Sequence, residues 1–341
     1  MFSIVGNRFY QSSLRANICC RLLHQGKQVI LGIESSCDDS CAAIVTEEGK
    51  VLSSYQISQH DLNRKNRGVV PSVASKSHQV NIPIVVDQTI QGCKNSAIID
   101  DVDAVALTIG PGLAPCLGAG LSFAKNFCKK YLKPLVLVNH MEAHAMAASM
   151  THQVFYPSFG FMVSGGNTEI VYIPDHLHPF LKIGDTVDDA CGECMDKVYR
   201  AIMESFCTKD GELQDISSLG AYLYHSSSTS SLKHGGAQIS AWSKEYEETT
   251  EFKQGGKRIP FPLPMARQHN SNFSFSGIKT YSIRYLQTMK QSGNADLLSI
   301  QRFCYYFEHT LIKHLMKKLE YSIDLFPEVR SIVRLFFGCP M

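Results

Sequence analysis

Two histidines four apart, His140 and His144 in the stretch Asn139-His140-Met141-Glu142-Ala143-His144, have the residue types and spacing to do chemistry. On a helix that spacing puts both imidazoles on one face, within reach of a single divalent ion. The run Leu135-Val136-Leu137-Val138 before them reads as a buried strand, and the alanines through Ala148 continue as helix. A strand feeding such a pair sets it at the carboxyl edge of a sheet, where α/β proteins carry their sites. Two ligands alone do not complete a metal site, and a pair of helix-surface histidines is the plain alternative.

The second chemical signal is a turn. Val29-Ile30-Leu31-Gly32-Ile33 reads as a strand, Glu34-Ser35-Ser36-Cys37-Asp38-Asp39-Ser40 as a polar turn and Cys41-Ala42-Ala43-Ile44-Val45 as a returning strand. The plan recurs in Phe159-Gly160-Phe161-Met162-Val163, Ser164-Gly165-Gly166-Asn167-Thr168 and Glu169-Ile170-Val171-Tyr172. Turns of Gly, Ser and Asp expose backbone N–H groups and leave room for phosphate oxygens. Any hairpin would use the same residues. Occurring twice, they point to a duplicated α/β chain with a nucleotide cleft.

Other elements must position these groups. Asp87 to Asp103 reads as turn and connector. Ala104–Thr108 reads as a strand, and Gly110-Pro111-Gly112 as the opening of a helix from Leu113 to Leu132. That glycine turn suits an anion site or a tight strand-to-helix turn equally. Lys125, Lys129, Lys130 and Lys133 recur at helical spacing and read as a solvated face ahead of the alternative, a phosphate-binding stripe. Glu193 and Lys197 make an ordinary i,i+4 pair, which leaves Asp196 without a local explanation. A serine-rich stretch, about 206–251, reads as an exposed insertion. Helices are expected from Phe273-Ser274-Phe275-Ser276-Gly277 through Tyr285 and from about Ile300 to Tyr321, with a last strand starting near Val329.

At 341 residues and 44% hydrophobic content, the chain can bury large cores, and nothing in it approaches the unbroken apolar length of a membrane span. Its net charge of +2 includes Arg8, Arg15, Arg21 and Lys27, with no acid before Glu34; the rest carries −2. Arginine-bearing, acid-free and amphipathic, residues 1–28 read as a mitochondrial transit peptide, the alternative being a basic tail. The 12 cysteines are scattered through apolar runs and fit reduced, packed thiols better than a disulfide framework. Cys191-Gly192-Glu193-Cys194 has redox or zinc spacing but acidic neighbours and no second pair, so it too reads as packing.

Taken in order, Gly32-Ile33-Glu34-Ser35-Ser36-Cys37-Asp38, His140-Met141-Glu142-Ala143-His144, Val163-Ser164-Gly165-Gly166-Asn167-Thr168, Asp188-Asp189-Ala190 with Gly192-Glu193 and Asp196-Lys197, and Phe273-Ser274-Phe275-Ser276-Gly277-Ile278-Lys279-Thr280 resemble the tRNA N6-adenosine threonylcarbamoyltransferase family over about residues 29–290. Its mitochondrial members, also described as O-sialoglycoprotein endopeptidase-like proteins, are the nearest likeness. The resemblance implies a two-lobed actin, Hsp70 and sugar-kinase type of fold, with lobes at 29–150 and 151–341 and nucleotide and metal in the cleft between them. It implies transfer of a threonylcarbamoyl group from threonylcarbamoyl-adenylate (threonylcarbamoyl-AMP) to the adenosine beside the anticodon of tRNAs reading codons that begin with A, here in the mitochondrial matrix. By the same resemblance His140 and His144 ligate one divalent ion, zinc or iron, per subunit. Met162, Val163, Ser164, Gly165 and Gly166 hold the adenylate and acyl portion, Asp196 binds near its ribose, and Gly236 also meets the nucleotide.

Two departures stand against the likeness. The serine-rich stretch intervenes before the Gly235-Gly236 pair. The family's later Gly-Gly-Val-Ala and Asp-Asn motifs, the second supplying a third metal ligand, are not in the sequence, so the second lobe is expected to be incomplete and transferase activity weak or absent. The partners expected are tRNA, threonylcarbamoyl-adenylate and a homodimer, with no membrane. Contacts to tRNA would fall on Arg64, Lys65 and Arg67 or on Lys253, Lys257 and Arg258, each trio being equally a solvated loop. Two other functions compete: a non-catalytic nucleotide-binding module, favoured by the missing ligand, and a metallo-endopeptidase. The second is disfavoured because His-x-Glu-x-His turns Glu142 away from the histidine face.

Overall fold

The computed structural model describes residues 28–65, 69–93, 98–150, 152–175, 178–206, 235–293 and 295–336. The leader through residue 27, Arg67 and the serine-rich run 207–234 lie outside the described residues. The chain divides into two compact units, Met1–His152 and Gln153–Met341.

Unit 1 is built on β1 (Val29–Glu34), β2 (Asp39–Thr46), β3 (Val51–Ser58), α1 (Pro71–Gln91), β4 (Ala104–Gly110), α2 (Ala114–Tyr131), β5 (Leu135–Asn139) and α3 (His140–Ala147). The strands lie in the order β3-β2-β1-β4-β5. The first three pair antiparallel, while β4 runs parallel to both β1 and β5. Alternation sorts the faces: Leu31, Ile33, Ala42, Ile44, Val105 and Leu107 join Ile82, Val85 and Val86 of α1 and Ala124 and Phe127 of α2 in one core. The opposite face carries small residues in register, Ala43 beside Gly32 beside Ala106.

Three expectations change here. Residues 71–91 form the 21-residue helix α1, which the sequence reading left without an element. The connector expected over 87–103 is correspondingly short, because α1 runs to Gln91 and Ile98–Asp101 is a further turn of helix. The strand before the histidines is not buried. β5 stands at the edge of the sheet, with Leu137 49% exposed.

Unit 2 repeats the plan with β6 (Ser158–Val163), β7 (Thr168–Ile173), β8 (Leu181–Asp185), α4 (Cys191–Phe206), α5 (Gly235–Glu247), α6 (Ser276–Gln291), α7 (Leu297–Leu325) and β9 (Ser331–Phe336). The order is β8-β7-β6-β9, again with three antiparallel strands and a parallel fourth. Each unit therefore starts with a three-strand meander whose first strand pairs with a later parallel strand. The two units thus share one duplicated α/β plan. Unit 1 has a fifth strand; unit 2 shows four among the described residues. Phe159, Phe161 and Val163 of β6 pack with Trp242 of α5, Ile278 of α6 and Phe303 and Phe307 of α7.

The helices of unit 2 run longer than expected, α6 to Gln291 and α7 over Leu297–Leu325. The stretch about 206–251 is not wholly an exposed insertion. Its part Gly235–Glu247 is helix α5, with Trp242 and Tyr246 buried. No helix among the described residues is long and apolar enough to cross a membrane.

Candidate functional site

In unit 1 the histidine pair sits where a strand becomes a helix. The side chain of Asn139 caps α3, its Oδ1 accepting from the N–H groups of Met141 (2.8 Å) and Glu142 (3.1 Å). That cap fixes the first helical turn, so the i,i+4 spacing brings His140 and His144 ring to ring, with their Nε2 atoms 3.0 Å apart. Both rings line a cavity of about 630 Å³ over the open face of the sheet, with Glu34, Thr108, Cys41, Gln56 and the small residues Gly32, Ala43 and Ala106. Ala143 lines it as well; Glu142 does not.

Glu34 is the functional residue that the sequence reading passed over. It ends β1 and accepts from His140 Nδ1 at 3.1 Å through Oε2 and from the backbone N–H of Ser36 through Oε1. Burial raises its carboxyl pKa, but hydrogen bonds from His140, Ser36 and Thr108 outweigh that and hold it at about 2. The signal was in the sequence: a lone acid closing an apolar strand has to find a partner, here across 106 residues. Burial, with the neighbouring His140, lowers His144 to about 4. Cys41, paired with Glu34 across the hairpin, is pushed up to about 12 by burial and the nearby acids, so it stays a thiol. Among the described residues no three His, Cys, Asp or Glu side chains form a group able to hold a metal.

In unit 2 the turn between β6 and β7 is closed by its own atoms. Ser164 N donates to Asn167 O at 2.8 Å, and Asn167 N donates to Ser164 Oγ at 2.9 Å. Helix α4 starts against this turn, with Gly192 N donating to Ser164 O at 3.1 Å. A Cβ on Gly192 would lie 2.7 Å from Gly165 Cα, so only glycine permits this approach. Among the described residues, nothing lies within 4 Å of where a Cβ would be on Gly165 or Gly166. Asp196 stands one turn along α4 on the same face as Gly192, and its Oδ1 accepts from Gly236 N at 3.2 Å. Ser164, Gly165, Gly166, Asp196 and Gly236 are thus brought together. The side chains of Met162 and Val163 are not exposed at the turn; both are fully buried in β6, where Val163 belongs to the core.

Behind the turn a polar frame ties α6 to α4. Asp188 accepts from Ser274 Oγ (2.6 Å), Phe275 N (2.7 Å) and Ser276 Oγ (2.7 Å), while Asp189 pairs with Lys197 at 2.8 Å and with Lys279. Lys197 also pairs with Glu193 at 2.8 Å, as the sequence spacing implied. Cys191 and Cys194 are buried in the unit 2 core, and burial pushes the Cys194 thiol up to about 12, as packing residues should behave. The turn at Gly110-Pro111-Gly112 serves packing: Leu113 N donates to Ser36 O at 2.7 Å, and Gly112 lies too close to Ser36 for any Cβ.

A family model described as TsaD, tRNA N6-adenosine threonylcarbamoyltransferase, matches residues 50–336, which include both the histidine pair and the glycine turn. The chain belongs to this family. It is 30% identical over 310 residues to the tRNA N6-adenosine threonylcarbamoyltransferase of Pelagibacter ubique, covering 90% of this chain and 75% of the relative. It is 37% identical over 268 residues to that of Clostridium perfringens strain SM101, covering 78% and 68%. The family is one of acyltransferase enzymes. Among solved structures, (R)-2-hydroxyglutaryl-CoA dehydratase component A of Acidaminococcus fermentans aligns over 91% of this chain and 83% of its own, at 9% identity and a TM-score of 0.42.

Proposed function

We propose that this protein modifies tRNA, transferring the threonylcarbamoyl group of threonylcarbamoyl-adenylate to N6 of the adenosine beside the anticodon. The tRNAs are mitochondrial ones reading codons that begin with A, and the compartment is the matrix. The observation that carries this reading is the family match, which runs through the elements bearing both sets of candidate residues. The matrix assignment rests on the acid-free, arginine-bearing leader.

The chemistry asks little of the protein beyond placement. The donor is a mixed carboxylic–phosphoric anhydride and is already activated, so no covalent protein nucleophile is required. What the site must do is orient amine and carbonyl and stabilise the oxyanion that forms. In unit 2 the open backbone at Gly165 and Gly166 leaves room for the adenylate, and Asp196 offers a carboxylate to its ribose. The amides of the Ser164–Gly166 turn are suited to the developing negative charge. In unit 1 His140 and His144 would hold a divalent ion, zinc or iron. The donor set fits: two imidazole nitrogens converge, and the outer nitrogen of one ring is bonded to a carboxylate. Such an ion, when bound, supplies Lewis-acid polarisation.

The test is to incubate the full chain with threonylcarbamoyl-adenylate and unmodified mitochondrial tRNA, then to analyse the nucleosides by mass spectrometry. Any threonylcarbamoyladenosine at the position beside the anticodon, even at low yield, supports the enzyme. Adenylate binding without any modified nucleoside would replace the enzyme by a nucleotide-binding module. That second reading draws on the lack of a third ligand among the described residues. An endopeptidase is not supported, since Glu142 is absent from the wall that the two histidines line.

A further inference from the structure

We propose that Glu34 is a positioning residue: it fixes the ring orientation and tautomer of His140 so that the Nε2 atoms of His140 and His144 converge on one divalent ion. The role rests on the metal reading above, but it concerns a residue that precedes the matched range 50–336 and that the family resemblance gave no task.

The carboxylate is held from several sides. The Ser36 backbone N–H takes Oε1, the Thr108 side chain on the neighbouring strand hydrogen-bonds to the group, and His140 Nδ1 meets Oε2 at 3.1 Å. Ser36 is itself anchored, its carbonyl accepting from Leu113 N at 2.7 Å at the start of α2. An ionised carboxylate can only accept, so the nitrogen facing it has to carry the hydrogen. The neutral His140 ring is therefore the Nδ1–H tautomer, and its Nε2 presents a lone pair away from Glu34.

That lone pair points at His144. Two unprotonated nitrogens 3.0 Å apart would repel, so without an ion the Nε2–H of His144 donates to His140 Nε2. To hold an ion together with His140, His144 would present an unprotonated Nε2 and carry its hydrogen on Nδ1 instead, with no net proton lost. Only one of the two rings has to change tautomer, because Glu34 has already set the other. Glu34 is not itself a ligand in this arrangement. It contacts the Nδ1 side of His140, whereas the two Nε2 atoms face each other on the opposite side. A carboxylate behind a ligating imidazole raises the basicity of the ring and locks its orientation, and such partners are worth about 10–100-fold in metal affinity.

The experiment has two readouts besides activity, both on the full chain. Long-range 15N NMR of the histidine rings, with His140 assigned by comparison with His140→Asn, reads the tautomer in metal-free protein; the expected result is a protonated Nδ1. Titration with Co2+, followed by its visible absorption, reads the affinity in the unaltered chain and in Glu34→Gln, with thermal unfolding confirming that the variant folds. The isosteric amide should weaken Co2+ by about 10–100-fold. A proton on His140 Nε2, or equal Co2+ affinity in the two chains, overturns the role of Glu34 and leaves the metal reading intact. If the unaltered chain takes up no Co2+, the metal reading falls and the positioning role falls with it. The tautomer measurement needs no change at Glu34, so the inference stays testable even if Glu34→Gln does not fold.

Discussion

The two hairpin turns, Glu34–Asp39 in unit 1 and Ser164–Asn167 in unit 2, occupy the same place in the repeated plan and are held in opposite ways. The first is pinned by side chains from afar. His78 of α1 contacts Ser40 Oγ (2.7 Å) and Cys37 O (3.0 Å), Ser35 Oγ donates to Cys116 O (3.2 Å), and Asn63 holds Asp38 at 2.7 Å. The second closes on its own serine and backs onto Gly192, leaving Gly165 and Gly166 open. A turn that supports a carboxylate behind a histidine needs every side chain fixed. One that offers backbone to a ligand needs the space side chains would fill. One plan, duplicated, thus yields one turn specialised in side-chain placement and one in backbone access.

The sharpest way to break this comparison is at the two glycines where each turn meets its helix. Alanine at Gly112 would put a Cβ 2.6 Å from Ser36 O, and alanine at Gly192 one 2.7 Å from both Gly165 Cα and Ser164 O. The opposing atoms include backbone, which cannot swing aside, so each substitution should cost up to about 3 kcal/mol by overpacking. Urea unfolding measures the loss. Gly192→Ala should also abolish adenylate binding, whereas Gly112→Ala should weaken ion binding through the Ser36–Glu34 contact. If both variants lose the same ligand, the division of labour between the turns is wrong.

How far the sequence reached follows the same contrast. The hairpins, the histidine helix and the glycine turn were legible because they depend on local pattern: period-2 strands, an i,i+4 pair, a cluster of turn residues. Asp196 was suspect because no local partner explained it, and the structure supplies a distant one in Gly236. Glu34 was open to suspicion as a lone acid closing an apolar strand, but its partner, 106 residues away, could not be read. Helix α1 was missed because Pro83, a residue that usually breaks helices, lies inside it and its buried positions include His78 and Thr89, which blur the apolar stripe. Helix α5 was mistaken for insertion because the serine run before it hid the start of a helix carrying the protein's one tryptophan into the core. β5 was expected to be buried because an apolar run does not say whether a strand lies inside a sheet or at its edge.

A smaller, pH-dependent effect separates the histidines that support the two units' segments. His78 has partners on both ring nitrogens. His314 of α7 accepts from Ser274 N through Nε2 at 3.3 Å, but its buried Nδ1 has no partner among the described residues. Burial, with Lys318 and Lys317 nearby and Asp188 opposing them, lowers His314 from 6.5 to about 4. Unfolded, the ring takes up its proton near pH 6.5; folded, it resists until about pH 4. Its contribution to stability is therefore full above pH 6.5 and is lost as pH falls from there toward 4, with a slope of at most about 1.4 kcal/mol per pH unit. Thermal unfolding at pH 7 and pH 5 should show a slope in the unaltered chain to which His314 and His144, itself lowered to about 4, both contribute, and a flatter one in His314→Gln. Asp188 and Asp189, whose hydrogen bonds outweigh burial and hold them below the ordinary aspartate range, lose their contributions only at lower pH and do not confuse the window.

The smallest effect on folding is expected at Gly165, and it decides what that turn is for. Among the described residues nothing lies within 4 Å of where its Cβ would be, and its φ is not in the left-handed region, so alanine meets neither a clash with them nor strain. If Gly165 served only to close the hairpin, Gly165→Ala would be silent in every assay. If the space beside it belongs to a ligand, the same methyl group leaves the melting temperature unchanged while weakening the binding of a non-hydrolysable threonylcarbamoyl-adenylate analogue, measured by calorimetry. A variant as stable as the unaltered chain and binding the analogue equally well would remove the turn from the site. Unchanged stability with weakened binding would mark backbone access as the property that unit 2 contributes and the side-chain-locked turn of unit 1 does not.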